Sequence, residues 1–301
     1  MKLCFYHNDA DGRSSAAIVR RALGKDTRLH EINYGDPVPW DLAEQADHVI
    51  MVDFSMPLLD MQRMAKGRRF TWIDHHISAL NELQDASASW EGLRNLSDAA
   101  CVLTWKYFFP DQPIPRAILL IGDRDTWTND YPDSAPFGEG LNQQDASPDH
   151  DKLWQPLLDD DPQAIQKLIS LGSVLHDARL RDIRRSVARF GQEVTFEGHS
   201  TLAINRRGDG DLGDHIRKLG YEVAYCYIEG LQNKKLVTFV TLFSDKVDVS
   251  EIAKKFGGGG HQGAAGFSFE RGCGPFPDGA VWEPGLLTPM DALPPAPRPA
   301  G

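Results

Sequence analysis

The chain is poor in the features that mark membrane, disulfide-rich or strand-wrapping nucleic-acid proteins. Its only cysteines, Cys4, Cys101, Cys226 and Cys273, are scattered with no paired spacing. That excludes a zinc ribbon and a disulfide framework, and leaves the thiols as buried or free groups. No stretch approaches the ~20 apolar residues of a membrane span, and Met1-Lys2-Leu3 leads directly into a strand-like run instead of a signal peptide. A cytoplasmic protein is expected. Positive charge is scarce too: the net charge of −11 is awkward for gripping a long polyanionic backbone through Lys and Arg. Short anionic substrates are more natural.

What is present is concentrated in three strings: His7-Asn8-Asp9-Ala10-Asp11-Gly12, Val52-Asp53-Phe54-Ser55 and Asp74-His75-His76. Each follows an apolar run that reads as a strand, namely Leu3–Tyr6, Val49–Val52 and Phe70–Ile73. Helices are expected between and after them, at Ser14–Leu23, Pro57–Lys66 and Ser97–Phe109, the last with Ser97 as N-cap. Strands alternating with helices imply a parallel sheet, and such sheets bind ligands outside the carboxyl ends of their strands. The acidic and imidazole side chains fall at those ends.

At 301 residues the chain has room for two domains of roughly 100–200 residues. Segment 129–151, with Pro132, Pro136, Gly138, Gly140 and Pro148, reads as a loop and sets a first boundary, giving domain 1–149. Pro162 opens a long amphipathic helix with apolar Ile165, Leu168, Ile169, Leu175, Ile183, Val187 and Phe190. Its arginines read as a solvated face, and 150–197 is a helical connector. A smaller α/β domain at 198–270 follows: a strand at Thr201–Asn205, a polar helix near Asp211–Leu219, strands Glu222–Glu229 and Lys235–Ser244 joined by loop 230–234, and a helix capped by Asp248 with Glu251 in capping-box position. After it comes Gly257-Gly258-Gly259-Gly260-His261-Gln262-Gly263-Ala264-Ala265-Gly266-Phe267. Its glycines permit close backbone approach and an anion-binding nest of N–H groups, to which His261 adds a donor. Residues 271–301 are Pro/Gly-rich and read as an extended or disordered tail.

Oxygen and imidazole ligands converging from separate loops suit two hard divalent ions, which together acidify a water and neutralise charge on a phosphoryl group. Each string alone has an ordinary explanation, since Asp-Ala-Asp-Gly is a common turn and a strand-end Asp often caps a helix. The three in order, each at a strand end, are far more specific.

With Asp74-His75-His76 and the glycine string at 257–267, written GGGGHxxAAGF in the family, the chain resembles the DHH phosphoesterase superfamily over about residues 1–270. The Asn8 variant of the first motif and Asp123-Arg124-Asp125-Thr126-Trp127 make it look nearest the branch of oligoribonucleases and cyclic-nucleotide phosphodiesterases. The resemblance implies a parallel-sheet DHH domain, a helical connector and a smaller α/β DHH-associated domain, with the active site in the cleft between them. It implies two Mn²⁺ ions, Mg²⁺ being an alternative, with His7 and Asp9 on one, Asp11 and His75 on the other, and Asp53 bridging. Asp74 then orients a ligand and His76 faces the scissile phosphate. The fourth family motif matches Leu120-Ile121-Gly122-Asp123, so Asp123 is preferred as ligand and Asp125 is the competing, supporting choice. Gly258, Gly259, Gly260 and His261 hold the substrate's far end. Family members often carry Leu-Arg-Ser where this chain has Leu242-Phe243-Ser244, which removes one phosphate clamp and leaves Phe243 either stacking on a base or packing in the core.

The leading expectation is a Mn²⁺-dependent phosphodiesterase, an exonuclease-like hydrolase that cuts short oligonucleotides or linear or cyclic dinucleotides to 5′-mononucleotides. Polyphosphate or pyrophosphate hydrolysis uses the same metal chemistry, and a non-catalytic nucleotide-sensing module is the reading from another class. Base, sugar and oligomeric state, a homodimer included, stay open.

Overall fold

The computed structural model describes residues 1–277; the tail expected over 271–301 lies, from residue 278 on, outside them. The chain divides into two compact units, residues 1–178 and residues from Arg179 on.

The first unit is built on β1 (Lys2–Tyr6), α1 (Ala10–Leu23), β2 (Arg28–Glu31), α2 (Trp40–Glu44), β3 (His48–Val52), α3 (Leu58–Ala65), β4 (Arg69–Ile73) and α4 (Ile77–Ser87). The strands lie in the order β2-β1-β3-β4, all parallel. The three expected strands form as read. The edge strand β2, Arg-Leu-His-Glu, carries no apolar run and is legible only through its pairing. Both sheet faces are covered, as a parallel sheet requires: Cys4, Tyr6, Ile50 and Val52 pack with Ala16 and Val19 of α1, while Leu3, Phe5, Val49 and Met51 pack with Met61 and Met64 of α3. All eight strand residues are buried.

Five helices complete it: α5 (Ala100–Phe108), α6 (Arg116–Thr126), α7 (Ser134–Leu141), α8 (Asp151–Leu158) and the start of α9 (Pro162–Phe190). Two expectations are corrected. Ser97 does not cap α5, which begins at Ala100 and has Ala99 at its cap position with no side-chain cap bond of its own; the carboxylate of Asp11 takes that place. Segment 129–151 is not wholly a loop, because α7 forms within it. A Cβ on Gly140 would sit 2.1 Å from the Leu168 carbonyl oxygen, and one on Gly172 would sit 1.7 Å from that of Pro136. These glycines are contact points between α7 and α9, not flexible joints.

The long helix α9 forms as expected from Pro162, but its buried stripe is interrupted. Ile165, Leu168 and Ile169 join the helical core of the first unit with Trp154 and Leu157 of α8. Ile183 and Val187 belong to a core of the second unit with Leu202, Leu212 and Ile216. The division between the units falls in the intervening turns, and Phe190 is exposed.

The second unit continues with β5 (Gln192–Phe196), β6 (His199–Asn205), α10 (Gly210–Lys218), β7 (Val223–Gln232), β8 (Lys235–Phe243), α11 (Val249–Lys255), β9 (Gly259–His261) and β10 (Ala264–Glu270). Its sheet has the order β5-β6-β7-β8-β10-β9. Loop 230–234 shrinks to the two-residue turn Asn233-Lys234, both with positive φ (50° and 66°), the geometry that matches strand twist in a hairpin. Asp248 caps α11 through the N–H groups of Ser250 and Glu251.

Candidate metal centre

The site begins with how α1 docks on β1. Asp9 is the N-cap of α1 and accepts from the Gly12 N–H at 2.9 Å, which turns the chain sharply after His7. Gly12 is obligatory there, since a Cβ would lie 2.2 Å from the His7 carbonyl oxygen. The second carboxylate oxygen of Asp9 is 2.7 Å from His7 Nδ1.

Asp11, in the first turn of the helix, makes a different contact. Its two oxygens accept from the Ala100 and Cys101 N–H groups at 2.8 and 2.7 Å, so it caps α5 from a distance and satisfies donors that the helix start leaves open. Asp53 ends β3 with φ +54°, a conformation Asp tolerates better than most residues. It is 1% exposed. Its Oδ1 lies 3.5 Å from His75 Nε2 and its Oδ2 3.8 Å from His7 Nδ1, and Oδ2 is buried without a hydrogen-bond partner.

Asp74, fully buried, closes β4. It accepts from the backbone N–H groups of His75 and His76 at 2.7 and 3.1 Å and from His76 Nδ1 at 2.7 Å; Trp72 Nε1 donates to its other oxygen at 3.2 Å. Asp74 therefore orients the histidine pair. Arg94 holds the following loop against β4 by donating to the Trp72 and Trp90 carbonyls at 2.9 and 3.2 Å.

His75 Nε2 sits among three carboxylates: Asp53 at 3.5 Å, Asp11 at 3.7 Å and Asp125 at 3.4 Å. The last distance bears on the choice within the fourth motif. Asp125 stands in the cluster, whereas Asp123 is consumed by structure: it accepts from Thr128 Oγ1 and the Asp130 N–H, both at 2.7 Å, from the Tyr131 N–H at 3.4 Å, and from Ser134 Oγ. Asp123 ties down the connection from α6 to α7. Its oxygens face these donors rather than His75.

The candidate ligand atoms fall into three overlapping sets, His7/Asp9/Asp53, Asp11/His75/Asp125 and Asp53/His75/His76, each within 4.8 Å. Asp53 and His75 are shared, which is the arrangement of two neighbouring cation positions. Electrostatics point the same way. Burial, then the charges of Asp11, Asp9, Asp125 and Asp74, push the Asp53 carboxyl well above the usual carboxylate range; burial and then Asp11 and Asp9 do the same to Asp125. Burial also raises Asp11. His75 is held below its ordinary value, burial outweighing the carboxylates around it, and a neutral imidazole is the form that binds metals. For His76 burial is outweighed by the Asp74 hydrogen bond, so its value is raised. Carboxylates that resist joint ionisation, an orphaned buried oxygen and an all-oxygen and imidazole donor set fit a pair of hard divalent ions.

Gly258, Gly259, Gly260 and His261 lie in the second unit. The string there is a hairpin rather than an open loop: Gly259, Gly260 and His261 pair with Gly266, Ala265 and Ala264, and a Cβ on Gly258 would lie 2.0 Å from the Gly266 carbonyl oxygen. His261 is exposed. Phe243 is core-facing, its ring 2.6 Å from where a Gly213 Cβ would be. Besides the remote cap made by Asp11, sequence reasoning passed over Tyr34, an exposed aromatic beside His7. Its only sequence signal is an aromatic set in an Asn-Tyr-Gly-Asp turn.

No family-level sequence model matches the chain. Among curated proteins, an uncharacterized protein of Acanthamoeba polyphaga mimivirus is 31% identical over 241 residues, 76% of this chain and 55% of that protein. The chain thus spans about half the length of that relative. Oligoribonuclease NrnB of Bacillus subtilis is 24% identical over 297 residues, 88% of this chain and 72% of the relative. Among solved structures, the pGpG-specific phosphodiesterase PggH of Vibrio cholerae has a TM-score of 0.53 at 13% identity, covering 90% of this chain and 94% of that one. RecJ of Thermus thermophilus, solved with Mn²⁺, has a TM-score of 0.52 at 16% identity, covering 89% of this chain and 49% of that one. Beneath the three strand-end motifs, the chain thus shares the fold of PggH and RecJ.

Proposed function

We propose that the chain is a metal-dependent phosphodiesterase that hydrolyses short oligonucleotides or dinucleotides to 5′-mononucleotides. The observation that carries the reading is Asp53, whose two buried oxygens face two ligand sets, one of them without any other partner. His7, Asp9 and Asp53 would hold one divalent ion, and Asp11, His75, Asp125 and Asp53 the other, with Mn²⁺ or Mg²⁺ suited to the donors. Such ions supply an acidified water and positive charge against the phosphoryl oxygens. The chain's own part is positional. Asp74 fixes the ring of His76 through Nδ1, and that bond outweighs burial to raise the His76 pKa, so that as an imidazolium its Nε2–H can donate to an oxygen of the scissile phosphate. Asp11, locked on the α5 N-terminus, and Asp9, locked on α1, keep the remaining carboxylates from rearranging.

Short substrates are favoured by the net charge of −11, and both the oligoribonuclease relative and the pGpG-specific neighbour are named for very short substrates. Gly258–His261 are proposed to bind the substrate's far end. The test is a Mn²⁺-supplemented digestion of di- to pentanucleotides of RNA and DNA, a long single strand, cyclic mononucleotides, polyphosphate and pyrophosphate, with products identified by mass spectrometry. Mononucleotides from the short chains support the reading; faster cleavage of the long strand, or of pyrophosphate alone, refutes it. In the same assay His261→Ala should lower kcat/KM for dinucleotides by ~10–100-fold, as for one lost charge-assisted hydrogen bond, and spare bis-p-nitrophenyl phosphate.

A further inference from the structure

The loop after β2 presents Tyr34, which is 60% exposed beside a site made almost wholly of carboxylates and imidazoles. The ring is not loosely tethered. Its centroid lies 4.8 Å from that of Phe54 at an interplanar angle of 42° and 6.0 Å from that of His7. Phe54 is itself only 3% exposed and follows Asp53 directly in the chain, so the aromatic pair stands on the strand end that carries the shared carboxylate. The loop is braced at both ends. Ile32 N–H donates to the Tyr6 carbonyl at 3.0 Å, and the backbone and side-chain amides of Asn33 both donate to Asp36 Oδ2, at 2.9 and 3.2 Å.

A large aromatic side chain left open to water gives up apolar burial, so its placement calls for an occupant. Aromatic faces stack on bases whatever the base, because every base has a π-face. Around Tyr34 the polar groups are Ser55, close enough to hydrogen-bond the phenol, and the carboxylates of Asp53 and Asp74; the carboxylates repel a phosphate unless cations intervene, whereas the open ring face offers stacking to the uncharged part of a nucleotide. We propose that Tyr34 is the platform on which the nucleobase next to the scissile phosphate stacks, which makes it the residue that gives a generic phosphodiesterase centre its preference for nucleotide esters. The inference rests on the phosphodiesterase reading above. It names a contact for the base without naming which base.

The experiment compares wild type, Tyr34→Phe and Tyr34→Leu on a 5′-phosphorylated ribodinucleotide and on the same backbone lacking both bases. Tyr34→Leu should reduce kcat/KM for the base-bearing substrate by about 10–100-fold, chiefly through KM, and leave the abasic one unchanged; Tyr34→Phe, which keeps the ring and loses the hydroxyl, should match wild type on both. A second readout is independent of turnover: 2-aminopurine riboside 5′-monophosphate, titrated in Mg²⁺, should be quenched by wild type and Tyr34→Phe but not by Tyr34→Leu. Equal losses on both dinucleotides, no loss on either, or unquenched 2-aminopurine with wild type overturns the platform. A wild-type protein that cleaves neither dinucleotide overturns the reading beneath it, and the quenching then still decides whether Tyr34 stacks.

Discussion

Asp53 Oδ1 and His75 Nε2 face each other at 3.5 Å, closer than the 3.8 Å between Asp53 Oδ2 and His7 Nδ1 on the other side. With His76 Nδ1 3.9 Å from Oδ1 as well, one carboxylate thus looks at three imidazoles from two different strand ends. Because Asp53 also sits at φ +54°, the substitution that removes its charge without disturbing the backbone is Asn, which accepts the left-handed region. In a chelator at pH 7–8, Asp53→Asn should melt above wild type. The Asp53 carboxyl has a raised folded-state value, so wild-type stability falls as pH climbs from the ordinary carboxylate range through that raised value, and the amide abolishes the fall. With saturating Mn²⁺ the order should reverse, and turnover should drop by at least ~10²-fold, a ligand mattering more than the outer partners that cost 10–100-fold. Thermal melts in both buffers check the reversal.

Asp123 and Asp125 should separate cleanly. Asp123→Ala strands the donors of Thr128, Asp130 and Ser134 and should cost about 2–4 kcal/mol of stability while two ions still bind. Asp125→Ala should leave stability near wild type and weaken or abolish one of two metal-binding events in titration calorimetry. If Asp123→Ala is the variant that loses an ion, Asp125 is not the ligand.

This pair marks where the sequence stops being legible. Residues two apart on a helix point about 200° away from each other, so which carboxylate of α6 faces the strand ends depends on how Ala117, Ile118, Leu120 and Ile121 seat the helix in its core. That is tertiary information. The strand-end motifs were readable because a buried parallel strand is a continuous apolar run and its ligands follow at once, as at Val52-Asp53. Helix α7 was not, since Pro136, Gly138 and Gly140 are punctuation in a local reading, while in the fold Gly140 admits the Leu168 carbonyl. Nor was the pairing of Asp11 with the α5 N-terminus, 89 residues away.

Gly12 supplies a steric test of the same site. A methyl group 2.2 Å from the His7 carbonyl oxygen has only backbone to displace, so Gly12→Ala should force β1 and α1 apart and cost about 1–3 kcal/mol. Metal affinity should fall with it, because His7 and Asp9 lie on that turn. Gly259→Ala is the control: nothing lies within 4 Å of its Cβ position, and both stability and metal binding should hold. Calorimetric titration beside urea unfolding reads the two effects separately.

His48 makes stability depend on pH away from the metal ligands. It is buried at the start of β3, with Nε2 2.9 Å from Thr71 Oγ1, and burial, with Arg69 and Lys2 adding to it, lowers its pKa to about 4. An unfolded chain restores an ordinary imidazole near 6.5. Above that value both states are neutral and the stability is intact. As pH falls from about 6.5 to about 4 the unfolded chain takes up the proton first, so stability declines, and below about 4 the decline ends because both states are protonated. Allowing for water access to the ring, the loss should be about 1–2 kcal/mol. Urea unfolding in chelator at pH 7.5, 6 and 5, with His48→Gln as the non-titrating partner, isolates this contribution from the acidic cluster, whose titration is common to both proteins. The difference in stability between wild type and His48→Gln should shift against wild type as pH falls; a difference that stays constant from pH 7.5 to 5 would show that His48 titrates alike in the folded and unfolded chain.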